Sequence, residues 1–278
     1  MKPSSSIRFV MVVSLFASSV SAWGLGATPK LGDQVAVVRD IADAGSIRLQ
    51  GQRIAKLYLQ SGLGLNTALA TRQIGQAVTQ TDGEFKRLEH YSKKPAIQRT
   101  LMRCDAAWQA LRTVIDNSYS PAGAERVSQL AEELTIHASK LTLQIEAEAE
   151  TPAGRLVDGA SRLNMLAQRL ARLYMLAQAG DRSQGSLVDL EQTRKEFDTG
   201  LKELDRAPEN TAASRDALEL VRNQWIFFEG AVRQMQAKSV DGKSPLNVAT
   251  TSERIRETLA AVTMQYAQDS NPQARPAK

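Results

Sequence analysis

The chain has 278 residues, enough for one large or two ordinary domains, with aromatics at only 5%, nine prolines and a formal net charge of +5. A composition rich in Ala, Leu, Gln, Glu and Arg favours helix over sheet. Charges of both signs are interspersed along the chain, which argues against a nucleic-acid-binding protein, and the single Cys104 excludes an intrachain disulfide.

Residues 1–22 read as a signal peptide. Lys2 and Arg8 form a positive start, Phe9-Val10-Met11-Val12-Val13-Ser14-Leu15-Phe16 a short apolar run, and Val20-Ser21-Ala22 a small-residue cleavage site. The run is too short for a lasting membrane anchor, so the expectation is an exported, soluble, periplasmic chain beginning near Trp23. Four amphipathic helices follow, over roughly 33–62, 66–92, 95–117 and 122–149. The third carries Ile97, Leu101, Cys104, Trp108, Leu111 and Ile115, and the fourth Val127, Leu130, Leu134, His137, Leu141 and Ile145, both at core-stripe spacing. Thr151-Pro152 is a helix start, and the cycle repeats over about 153–180, 185–206, 211–238 and 246–268. Short connections predict antiparallel packing. The fold class is therefore all-α, two tandem antiparallel four-helix bundles over 33–150 and 153–268, with a disordered tail over 269–278.

The repeat is visible in the letters. Gln52-Arg53-Ile54-Ala55-Lys56-Leu57-Tyr58 returns as Gln168-Arg169-Leu170-Ala171-Arg172-Leu173-Tyr174, an offset of 116, and Trp108 returns as Trp225. On a wheel of roughly 100° per residue, Ala44, Ile47, Gly51, Ile54, Ala55 and Tyr58 share one arc. Arg48 lies at its edge between Gly45 and Gln52, and Arg53 points away, near Leu49 and Lys56. Small residues at 44, 45, 51 and 55 admit a close helix, and an arginine beside such a seam offers planar donors to an oxyanion. Two such helices would meet through repeat pairing or a homodimer. The alternative is that Arg48 and Gln52 are boundary residues that snorkel to water.

Ala44-Gly45-Ser46-Ile47-Arg48-Leu49-Gln50, followed by Arg53-Ile54, resembles the P-box of NarX-type nitrate/nitrite sensors. The longer pattern through Tyr58 is similar to the PilJ-type domain, the N-terminal ligand-binding region of type IV pilus methyl-accepting chemotaxis transducers. The second copy matches through Leu166-Ala167-Gln168-Arg169-Leu170-Ala171, and Thr251-Ser252-Glu253-Arg254-Ile255 and Val262-Thr263-Met264-Gln265-Tyr266 match its fourth helix. The resemblance implies a sensory module that binds a small anion, nitrate or nitrite, with Arg48 as ligand and Gly45, Ser46 and Gln52 shaping the pocket. Arg53, Asn164, Gln168 and Arg169 are secondary candidates, and Asn164 stands where the second copy lacks the Arg48 charge. A membrane signalling or pilus partner would relay the signal. The runner-up is a protein-interaction module that binds a pilin or the periplasmic part of a membrane receptor.

Catalysis is not expected. His90 and His137 have no convincing ligand set, Glu133 at i−4 from His137 falls short of a metal site, and no nucleophile–base arrangement or phosphate loop occurs. No cofactor is implied, and Met165, Met175, Met235 and Met264 read as core filler.

Overall fold

A computed structural model describes residues 31–148, 151–236 and 244–270. Among these are eight α-helices, one 3-10 turn and no strand: α1 (Leu31–Gly62), α2 (Thr67–Leu88), α3 (Pro95–Ile115), α4 (Pro121–Glu146), α5 (Pro152–Gln178), α6 (Gln184–Asp205), α7 (Ala212–Gln236) and α8 (Ser244–Asp269). The expected signal peptide, and the tail from residue 271, lie outside the described residues. The start of the expected tail is ordered differently: Asp269 closes α8, and Ser270 bonds back to Tyr266.

Local chemistry explains the starts. Pro95, Pro121 and Pro152 open their helices, where a missing N–H costs nothing. The Ser120 and Thr151 hydroxyls accept from the Gly123 and Gly154 amides, each at 3.0 Å. Ser244 and Pro245, expected in the preceding break, are instead the first residues of α8, a position proline tolerates. Among the described residues no helix is long and apolar enough to cross a membrane.

The twice-written helices occupy the centre. α1 packs on α2, α4 and α5, while α5 packs on α1, α6 and α8; α3 lies on α4, and α7 on α8. Being surrounded, α1 is buried at every position from Ile47 to Gln60. Arg53 points away from the Ala44–Tyr58 arc as expected, toward Glu253 of α8, yet it, Leu49 and Lys56 are all buried. A wheel assigns polar residues to water by default, but here water is replaced by neighbouring helices on all sides.

The halves share several contacts. Phe85 stacks on Trp108 at 6.5 Å, and Phe197 on Trp225 at 4.1 Å. Gln52 Nε2 reaches the Ala131 carbonyl of α4 as Gln168 Nε2 reaches the Ser252 carbonyl of α8. Core positions expected on α3 and α4 are buried at Ile97, Cys104, Trp108, Leu111, Val127, Leu130, Leu134, Leu141 and Ile145. Met165 and Met175 are core, whereas Met264 is 59% exposed, because position 264 falls on the outer face of α8.

Candidate functional site

The seam between α1 and α5 collects the charged residues. Near its start, Gly45 faces its own repeat counterpart, Ser161. A Cβ added to Gly45 would lie 2.9 Å from that of Ser161, so the helices touch here only because one side has no side chain. Beside this crossing, Arg48 Nη2 donates to Asp158 Oδ1 at 2.8 Å, to Ser161 Oγ at 2.9 Å and to the Asp158 carbonyl at 3.3 Å. Arg48 is 3% exposed. Burial lowers its pKa and the Asp158 charge opposes that. The ion pair keeps the guanidinium charged, but its Nε–H is buried with no partner. An unmade bond to a buried donor costs on the order of 1–3 kcal/mol.

One turn further on, two charge clusters cross between the halves. Arg53 holds Glu253 of α8 through Nε and Nη2, the latter at 2.8 Å, and Lys56 Nζ holds the same carboxylate at 2.7 Å. Burial would raise the Glu253 pKa, but Lys56 and Arg53 hold it well below the usual carboxylate range. In the mirrored position, Arg169 Nε donates to Glu132 of α4 at 2.9 Å and Arg172 pairs with the same carboxylate. Each central helix thus reaches the fourth helix of the other half.

The remaining candidates are distributed around these clusters. Ser46 is not brought to Arg48; it faces α2, where Gln80 Nε2 donates to its hydroxyl at 3.1 Å. Gln52 is also committed elsewhere, donating to Thr135 Oγ1 and accepting from Arg172 Nε at 2.8 Å. Asn164 Nδ2 donates to the Arg256 carbonyl at 3.0 Å, and its Oδ1 is buried without a partner. Gln168 Oε1 is likewise unpartnered. Arg48 and Gly45 therefore share one locus with Asp158 and Ser161, which sequence reasoning missed. It also missed Glu132, the pairing of Glu253 and the buried role of Lys56 and Arg172. The available signal was the basic residue kept at position 56 and at position 172.

Snorkelling is not what Arg48 does, since both its head and stem are covered. A groove beside the locus lies between α5 and α6, about 770 Å³, and Asp158 is part of its wall. Among the described residues no group of His, Cys, Asp or Glu could hold a metal ion. Glu133 and His137 are 3.9 Å apart on the surface of α4. Cys104 is buried, and that burial pushes its thiol up to about 12. No family model, curated protein or solved structure matches the chain.

Proposed function

We propose that the protein is an exported sensory or ligand-binding module that takes a small planar oxyanion, nitrate or nitrite, at Arg48. In this reading the eight helices form two four-helix bundles, a duplicated unit of PilJ type. Their α1–α5 seam does within one chain what a homodimer interface would do between two. The observation that carries it is the guanidinium of Arg48. It is buried, keeps an unused Nε–H, and sits where the repeat is broken, with Asn164 as its counterpart. By contrast, Arg53 uses Nε, Nη1 and Nη2 within the protein. Ser161 adds a hydroxyl beside the charge, and Gly45 gives the room for it.

The test is titration with nitrate and with nitrite by calorimetry and thermal shift, with Arg48→Ala as control. A ligand that binds only the folded state raises the melting temperature by mass action. Saturable binding in wild type and none in Arg48→Ala supports the assignment. If saturating anion moves nothing, or Arg48→Ala binds as well, the assignment fails.

The Arg48–Asp158 pair also favours a second reading, in which Arg48 is structural and the protein docks a pilin or the periplasmic part of a membrane receptor. A stable stoichiometric partner recovered from periplasmic extract, together with no anion response, would decide for it.

A further inference from the structure

The two halves keep their cross-links but differ at the Arg48 contact. Arg48, Asp158 and Ser161 meet across the seam, yet their repeat counterparts at the offset of 116 are Asn164, Ala42 and Gly45. All three members of the contact are specific to one side of the pseudo-symmetric seam. A pair kept only to hold the halves together would be expected on both sides, as the Glu253 and Glu132 clusters are.

The same side is open to solvent. Asp158 is 18% exposed by side chain while Arg48 behind it is 4% exposed. It lines the α5–α6 groove over a floor that includes Gly159, Leu163, Gly200 and Leu204. The positions matching Gly159 and Gly200 in the first half carry Asp43 and Leu88, both buried between α1 and α2. In the second half Leu204 and Leu163 lie against these glycines, where a Cβ would press on them, and so form the groove floor.

We infer that Asp158 is a built-in competitor: its carboxylate occupies the oxyanion's place on Arg48, and a ligand entering from the α5–α6 groove binds by displacing it. This rests on the assignment of the anion to Arg48. A carboxylate and a nitrate present the same planar pair of oxygens to a guanidinium. Exchange therefore trades one charge-assisted contact for another and leaves Arg48 never unpaired. The swing of Asp158 into the groove, toward Arg155 and Arg162 on the same helix, supplies a change of state that a partner could read. Resident competition sets the affinity. If Arg48 is free of Asp158 for about 1–10% of the time, the apparent affinity is about ten- to a hundredfold below the intrinsic one.

The experiment compares nitrate and acetate binding by calorimetry in wild type, Asp158→Asn, Arg48→Ala and the double variant. Asp158→Asn should bind both anions at least about tenfold more tightly than wild type, and the two variants lacking Arg48 should bind neither. Asp158→Asn leaves a buried charge without its partner and can fold poorly. The second readout therefore uses wild type, where the Asp158 side-chain carboxylate 13C resonance should shift on addition of nitrate. Equal affinity in wild type and Asp158→Asn, or an unmoved Asp158 resonance at saturation, overturns the competitor role while leaving anion binding at Arg48 standing. No binding of either anion to any folded variant overturns both.

Discussion

Glu84 gives the sharpest stability prediction. It lies on α2 against α1, 1% exposed, with Oε1 accepting from Gln80 Nε2 at 2.9 Å and Oε2 buried without a partner. The groups around it are Ser46 and Asp43 from α1, and Gln80 and Arg87 from its own helix. Its repeat counterpart on α6, Glu196, accepts from Gln192 in the same way but also pairs with Arg162. Ser46 stands in that arginine's place, so Glu84 lacks a dedicated counter-charge. Burial accordingly pushes its pKa up to about 8. A carboxyl raised in the folded state gives stability that is complete below its unfolded value near 4.5 and is lost as pH rises through 8. At about 1.4 kcal/mol per pH unit, the full loss is on the order of 5 kcal/mol, about 3 of them already gone at pH 7. Glu84→Gln keeps the hydrogen-bonding shape and removes the ionisation. Urea denaturation between pH 5 and pH 9 should show wild type weakening up to about pH 8 and then levelling, with the variant overtaking it by a few kcal/mol at the alkaline end. Parallel curves for the two proteins would refute the argument.

Three further outcomes follow from the same geometry. Glu253→Ala leaves Arg53 and Lys56 as buried cations without their carboxylate and should cost about 3–5 kcal/mol in denaturant unfolding. In wild type that contribution is present above the ordinary carboxylate pKa and is lost as pH falls through the depressed one, so the loss on acidification should be smaller in the variant. Gly45→Ala forces a Cβ against Ser161 at the helix crossing and should cost about 1–3 kcal/mol; an unchanged melting temperature would mean that α1 and α5 do not touch there. Cys104, buried and with its thiol pushed up to about 12, should react with a thiol reagent only as fast as the protein unfolds. Rapid labelling of the folded protein would contradict its placement.

The eight helices were legible because each part of the signal was local: apolar spacing, proline at helix starts, and Ser or Thr caps. The broken symmetry at Arg48 and Asn164 was legible too, since it needs only two copies laid side by side. What the letters concealed were the partners of the buried charges. Asp158, Glu132 and Glu253 lie on other helices, and the pairs they form are 37 to 200 residues apart in the chain. Unequal connections hide the correspondence further, because Glu132 and Glu253 are 121 apart while Arg53 and Arg169 are 116 apart. The wheel did not reveal the burial of Lys56 for a related reason. It describes one helix facing one neighbour, and α1 has neighbours all round.

The most direct test of an oxyanion at Arg48 is a crystal structure of the protein grown in saturating nitrate. A planar anion should lie within hydrogen-bond distance of the Arg48 guanidinium and Ser161 Oγ, with the Asp158 carboxylate turned into the α5–α6 groove. An Arg48–Asp158 ion pair left intact under those conditions, with no anion on either residue, would contradict it.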